Sequence, residues 1–465
     1  KRQAAMEETK VTEEISIGDR ISELYEEKKY GAIRDIFLEM NPYDIAELLN
    51  DLPINQAAVF FRLLPKELAA DTFVEMDSDI QSEMIQKFSD SEIRDVMDEL
   101  YLDDAVDIVE EMPANVVKRI LANTDASTRA MINRILQYPE DSAGSLMTVE
   151  YVSLRKNMTV SDALTRIRRT GIDKETIYTN FVTEYNRTLI GVVSARALLL
   201  NESDALIEDI METNIISVKT HTDKEEVAQM FSNYNLYVLP VVDDENRLTG
   251  IITVDDAMDV MEEEATEDIE KMAAIRPSDK PYLQTSAWQT YLQRIPWLML
   301  LMISAIFTSV IITRYERALE TTIILSACMP MLMDTGGNCG GQASVTIIRA
   351  LSLGDVEFSD ILRILWKEFR VGILCGVSLA IVNFVKMMIQ YPDSSFAVKM
   401  VVSLSLFLAI IVAKLIGCLL PMLADKIGFD PAVMSSPFIT TIVDALSLLI
   451  YFSLAVVIMH ISVPA

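Results

Sequence analysis

Residues 429–452 read FDPAVMSSPFITTIVDALSLLIYF, and within that run Asp444 is flanked by Ile442, Val443, Ala445 and Leu446. A carboxylate at the centre of a membrane costs on the order of 3 kcal/mol on insertion scales, so such a residue faces a partner or a water-filled cavity. Ser436, Thr440 and Asp444 recur every four residues and draw one polar stripe along an apolar helix. The donors on that stripe are all oxygen, which favours coordination of a hard cation over a purely structural role. A proton relay through Asp444 has no histidine or second carboxylate near it in sequence.

A second constellation, MDTGGNCGGQAS at residues 333–344, sits inside another hydrophobic stretch. Asp334, Asn338 and Gln342 lie four apart and share one face of a helix. Pro330, Gly336, Gly337, Gly340 and Gly341 predict an interruption of the span that carries them. Irregular backbone at membrane depth survives only where protein buries it or water reaches it, and glycines also permit close helix packing. The segment is therefore either a packing seam or a wall of an aqueous path. The buried acid of the Asp444 run favours the wall.

The elements that must position these residues are membrane spans. A spanning helix needs about 20 mostly apolar residues, and candidates run over roughly 296–313, 321–350, 371–391, 396–424 and 432–462. Of the chain's 40 Lys/Arg and 69 Asp/Glu, residues 291–465 carry 11 of each, so the whole net charge of −29 belongs to residues 1–290. The chain thus joins an acidic, water-soluble part to a near-neutral apolar part. Its start, KRQAAMEETKVTEE, is charged and lacks a signal-peptide pattern, which leaves the acidic part in the cytoplasm. Arg349, Arg363, Lys367 and Arg370 cluster around a 351–370 connection, which five spans place on the same side.

Composition excludes several functions. An acidic surplus of this size repels phosphate backbones, so no nucleic-acid partner is expected. Cys328, Cys339, Cys375 and Cys418 all lie in the apolar part without CxxC spacing, and His221 and His460 are the chain's two histidines. A soft or borderline metal site is thereby disfavoured, and a hard cation held by oxygen fits better. No nucleophile–base pair or phosphate-cradling loop stands out, so an enzyme is not expected.

Within the acidic part, residues 40–135 carry helix breaks about every twelve residues, at Pro53, Pro65, Asp77, Asp90, Asp103 and Pro113. That spacing predicts short stacked helices, each burying its apolar face on its neighbours. A duplication follows: LMTVEYVSLRKNMTVSDAL (146–164) is echoed by IMETNIISVKTHTDKEEVA (210–228), and GVVSARA by GIITVDDAM. β-branched runs alternating with helical stretches make this an α/β pair. From Asp255 the sequence DDAMDVMEEEATEDIEKM predicts a carboxylate-rich helix leading toward the membrane.

Together, MPMLMDTGGNCGGQASVTIIRAL, DPAVMSSPFITTIVDALSLLIY and the duplicated pair closely resemble the MgtE family of magnesium channels and transporters, over essentially the whole chain. The resemblance implies a homodimer with five transmembrane helices per subunit and a cytosolic Mg2+ sensor. It implies that Asp444 is the pore carboxylate, contributed once by each subunit, and that backbone carbonyls near Ser436 and Thr440 help to line the path. Asp430 would sit at the cytoplasmic mouth, and Asn338 falls in the matching second-span motif. Regulatory Mg2+ is implied at Asp256, Asp259, Glu264, Glu267 and Asp268 of the connecting helix, Asp223 and Glu225 of the second repeat, and Asp71, Asp103 and Asp107 of the helical domain. The repeats resemble tandem CBS domains, many of which bind adenosine nucleotides. Thr253 and Asp256 fit a ribose-contacting Thr-x-x-Asp for ATP, whereas the first repeat has Ser194 with Ala197 at the acidic position.

The expected architecture is a multidomain membrane protein: an all-α superhelical domain (1–137), two α/β CBS domains (138–205 and 206–257), a connecting helix (258–290) and a five-helix transmembrane domain (291–465). It would sit in the cell membrane, pass Mg2+ inward and close when cytosolic Mg2+ is plentiful. The competing readings are an ion-coupled divalent-cation carrier or exporter, and a nucleotide sensor whose spans do not conduct.

Overall fold

The computed structural model describes residues 17–461 apart from 173, 279–281, 283, 284, 317, 318, 320–322, 435 and the side chain of Ser436. The chain forms two compact units, 1–260 and 261–465.

The first unit opens with short helices, among them Lys66–Val74, Asp90–Met97 and Leu102–Glu111. At 8 to 10 residues such helices are marginal in isolation. They persist because they stack: Phe61, Phe73 and Phe88 meet pairwise with ring centroids 5.1, 5.9 and 6.1 Å apart. Pro53, Pro65, Asp77 and Pro113 hold the residue before the helix, as the spacing predicts. Asp90 and Asp103 instead lie inside their helices, behind Ser89 and Tyr101. Ser89 takes the boundary because its hydroxyl and Glu92 form a reciprocal capping box.

Two three-stranded sheets follow with the same plan. Strand β1 (Ser153–Leu154) runs parallel to β2 (Thr179–Thr183), which pairs antiparallel with β3 (Leu189–Ser194). Strands β4 (Val218–Lys219), β5 (Val238–Val242) and β6 (Leu248–Thr253) repeat that order. The β2–β3 and β5–β6 turns each contain a residue at positive φ, Arg187 and Asn246. Each turn accepts from the other repeat: Leu189 N–H donates to Asn246 O and Leu248 N–H to Arg187 O, both at 3.0 Å.

The carboxylate-rich helix spans Val254–Met272, not 258–290, and the unit boundary falls within it. Its end is set locally. Ala274 takes φ of 55° and Ile275 N–H donates back to Glu270 O at 2.9 Å, a left-handed closure followed by Pro277.

The second unit is built on long helices. Ala287–Arg314, Phe358–Gln390, Phe396–Lys426 and Pro437–Met459 are long and apolar enough to cross a membrane. The glycine-rich helix Ile323–Ser352 is a fifth long helix but is not among those four; Asp334, Asn338, Gln342 and its glycines dilute its hydropathy. The predicted interruption does not occur, because this helix is continuous through Pro330 and all four glycines. Neighbouring helices hold it. A Cβ on Gly336 would fall 2.8 Å from Ser447 Oγ, and one on Gly337 would fall 2.8 Å from Thr440 Cγ2. Tyr451 Oη donates to Leu325 O at 3.0 Å, a buried tie between the last helix and the start of the glycine-rich one. The 351–370 connection is also corrected: a continuous helix begins at Ile361, so Arg363, Lys367 and Arg370 are helical. Leu, Arg, Lys and Glu there are good helix formers, with no breaker before Gly372.

Candidate ion site and sensor carboxylates

Asp444 lies on the last helix (Ser436–Met459), half-buried. Its Oδ1 is buried and accepts no hydrogen bond from a described residue. The side chain borders an open cavity of about 380 Å3, shared with Thr441, Met333 and the first long helix. That volume far exceeds what one water needs, and a carboxylate with an unfilled acceptor is a polar lining. Asp334 is within electrostatic reach of Asp444.

The polar residues of the glycine-rich helix divide as the four-residue spacing predicts. Asp334, Asn338 and Gln342 are exposed on one side, while Gly336, Gly337, Gly340 and Gly341 are buried on the other. The glycine face is therefore a packing seam, and the amide–carboxylate face is left uncovered by the described residues. The stripe on the last helix is less uniform. Thr440 presents its methyl to Gly337, whereas Asp444 borders the cavity. The Ser436 side chain lies outside the described residues.

Asp430 has two engagements. One carboxylate oxygen accepts from Ala432 N–H at 2.7 Å, closing the turn before the last helix. The other pairs with Lys271 Nζ at 2.7 Å, and Lys271 also meets Glu267 at 2.6 Å. Partial burial works against the Lys271 ammonium, but its bonds to these two acids carry its pKa well above the ordinary lysine range. Asp268 has its carboxyl pushed up, first by burial and then by the charge of Asp430.

In the first unit the structure brings several acids within electrostatic reach of one another. Asp103 is buried, and burial followed by the charges of Asp256, Asp104 and Glu175 raises its carboxyl well above the ordinary range. Burial first, then neighbouring acids, lift Asp104 to about 7 (Asp256 and Asp255) and Glu175 to about 8 (Asp104, Asp255 and Asp256); burial, Asp255 and Asp259 lift Asp256 to about 6 against the pull of its Thr253 bonds. Asp107 is raised by burial and Asp256, but its side chain keeps solvent exposure, so water screens part of that repulsion. Glu75 feels Asp259 and Asp71, and Asp71 feels Glu67 and Glu99. Asp223 is placed differently: it caps the Lys224–Tyr234 helix, accepting from Glu225 N–H at 2.9 Å. Glu264, Glu267 and Asp268 belong to the second unit.

Asp256 accepts from Thr253 Oγ1 at 2.6 Å and from Thr253 N–H at 3.2 Å. The Thr-x-x-Asp pair is thus engaged with itself at the helix start. Glu175, Asp104, Asp255 and Glu75 were not singled out in the sequence. Glu175 sits in a loop with no motif around it, although its Oε2 is buried without a partner among described residues; Asp104 is at least announced by the adjacent Asp103. Among the described residues no three His, Cys, Asp or Glu side chains converge closely enough to hold a metal ion.

These features define a multi-pass membrane protein with a soluble helical and α/β half. Residues 329–454 match the MgtE family of divalent cation transporters. Residues 40–141 match the MgtE intracellular N domain, and residues 143–203 and 207–263 match CBS domains. The chain is 37% identical over 439 residues to the magnesium transporter MgtE of Thermus thermophilus, covering 94% of this chain and 97% of that one. Against the magnesium transporter MgtE of Bacillus subtilis it is 33% identical over 446 residues, covering 95% and 97%. Among solved structures, the cytosolic domain of the Mg2+ channel MgtE in complex with ATP is similar at 36% identity and a TM-score of 0.50, over 52% of this chain and 99% of that one. The soluble part of a magnesium transporter is similar at 29% identity and a TM-score of 0.51, over 54% and 99%. The chain belongs to the MgtE family.

Proposed function

We propose that this chain carries Mg2+ across the cell membrane through a path at Asp444, as a homodimer of five-span subunits, and that its soluble half closes the path when Mg2+ is abundant. The magnesium transporters it is similar to over nearly their whole length support the cargo. The observation that carries the reading is the Asp444 carboxylate, set within an apolar helix, bordering a cavity and lacking a hydrogen bond from a described residue. Mg2+ gives up water reluctantly and demands octahedral oxygen geometry. One aspartate from each subunit offsets a charge of two and attracts the hydrated ion without stripping it, which permits release as well as entry. Asp334, Asn338 and Thr440 would flank that path, Asp334 being within electrostatic reach of Asp444.

The sensor works by mass action on a two-state element. Asp103, Asp104, Asp107, Asp256, Asp259, Asp71 and Glu175 repel one another in the first unit, and Glu264, Glu267, Asp268 and Asp430 supply acid in the second. The donor set is oxygen throughout, and the buried orphan Oε2 of Glu175 fits a hard cation. Because these acids do not converge by themselves, Mg2+ that binds only the drawn-together state stabilises the closed form by linkage. Asp223 and Glu225 would join through the second repeat. ATP would meet Thr253 and Asp256, which must first release each other.

The test is Mg2+ uptake into liposomes. Asp444→Ala should abolish uptake that the parent shows, and uptake unchanged by the substitution would overturn the reading. Repeating the parent assay with sodium and proton gradients collapsed separates a channel, which keeps its flux, from a coupled carrier, which loses it.

A further inference from the structure

We infer that the first long helix supplies a wall of hydroxyl acceptors to the ion path, with Thr308, Ser309 and Thr313 facing Asp444 and holding the water shell of the passing dication. The inference rests on reading Asp444 as the conducting carboxylate.

The helix Ala287–Arg314 is two-faced along its outer half. Ala305, Thr308, Ser309 and Ile312 follow the i, i+3, i+4, i+7 spacing of a single helical face, and together with Thr313 they line the Asp444 cavity. Ala305, Ser309 and Thr313 are themselves exposed in the chain, as are the large residues between them, Met302, Ile303, Ile306, Phe307 and Val310. Tyr315 stacks on Phe452 with ring centroids 5.0 Å apart and planes 12° apart, which fixes the register of this helix on the last one.

Two of the hydroxyls at the cavity are also polarised in one sense. Thr313 Oγ1 donates its proton to Ser309 O at 3.0 Å, and Thr441 Oγ1, across the cavity, donates to Pro437 O at 3.0 Å. With the proton committed to a backbone carbonyl, each oxygen turns only lone pairs outward. Beside them Asp444 Oδ1 is a further acceptor without a donor among the described residues. The lining is thus rich in acceptors, and the species that satisfies acceptors on several sides is a strong multiple donor. Water bound to Mg2+ is such a donor, its protons made more acidic by the ion. The wall therefore favours a hydrated dication over a bare one and over anions.

The experiment reads hydration separately from transport. Ser309→Cys and Val310→Cys are placed in the full-length protein in liposomes and exposed to a membrane-impermeant cationic thiol reagent. The parent serves as background, because Cys328, Cys339 and Cys418 are buried and Cys375 is half-buried. Ser309→Cys should be modified much faster than Val310→Cys, and Mg2+ should slow that reaction. Equal rates at the two positions, or an unmodified Ser309→Cys, would mean that lipid or a second copy fills the groove and would overturn the inference. Thr313→Val, which keeps the shape but removes the acceptor, should lower Mg2+ uptake about fivefold, the effect of one lost hydrogen bond, with Thr313→Ser restoring it. If Thr313→Val and Thr313→Ser both match the parent, the wall has no role. Asp444→Ala is run alongside: full uptake there refutes the carboxylate reading whatever Ser309→Cys does, whereas lost uptake with an unreactive Ser309→Cys refutes the wall alone.

Discussion

At the scale of single residues, the chain pairs acids in two ways. Asp430 is matched to Lys271, whose ammonium also holds Glu267. Replacing Lys271 with Met takes from Asp430 and Glu267 the ammonium they share and leaves Arg349 as a cation acting on Asp268. The pair is partly exposed, so the direct loss is modest, about 1 kcal/mol. The larger expected effect is a new dependence on Mg2+: thermal unfolding of Lys271→Met in chelator should begin earlier than for the parent, and added Mg2+ should close the gap. Superimposed melting curves with and without Mg2+ would remove Lys271 from this role. Asp444 was marked as a candidate by sequence, because a lone carboxylate among Ile442, Val443, Ala445 and Leu446 has few physical excuses. Glu175 was not, because nothing in its neighbourhood marks it and only the fold brings it to Asp103 and Asp256.

At the scale of elements, periodicity read the surface of the glycine-rich helix correctly and misjudged its continuity. The four-residue spacing of Asp334, Asn338 and Gln342 put them on one exposed face. Whether Gly336 and Gly337 break the helix is decided elsewhere, by Val443, Thr440 and Ser447 arriving at the right height to take the space a Cβ would fill. Tertiary contact overrides a weak local propensity in such places. Gly337→Leu should separate the two helices and abolish Mg2+ uptake, and Gly337→Ala should lower stability by about 1–3 kcal/mol through overpacking. Gly31→Ala is the control, since nothing lies within 4 Å of its added methyl. Thermal melts of the detergent-solubilised protein in which Gly337→Ala and Gly31→Ala behave alike would refute the packing argument. The same limit explains the other corrected boundaries. Charge in Arg363, Lys367 and Arg370 suggested a loop, but charge does not end a helix, and the third long helix simply runs past the apolar stretch.

At the scale of the whole molecule, the split between an acidic part and an apolar part was plain from charge counting alone. The folded acids make a definite statement about pH. Asp256, Asp104 and Glu175 keep their protons to about 6, about 7 and about 8, whereas unfolded carboxyls release theirs near 4. The native state therefore binds more protons over that window, and stability falls as pH rises from about 4 to about 8. In chelator, the melting temperature of the parent should drop across this range, and saturating Mg2+ should flatten the drop. Asp103→Asn/Asp256→Asn should show a shallower fall and a smaller response to Mg2+; curves parallel to the parent would sink the sensor reading. The reciprocal turns at Arg187 and Asn246 give the duplicated sheets a twofold frame, yet the helices that leave them begin differently. Ser194 caps its helix through Ala197 N–H, while Thr253 spends its hydroxyl on the carboxylate of Asp256. A symmetric scaffold thus has a lopsided charge content, and a cation drawn to the frame would meet unlike groups in the two copies, Glu175 in the first and Asp256 in the second, converting a balanced pair into a lever with a preferred direction.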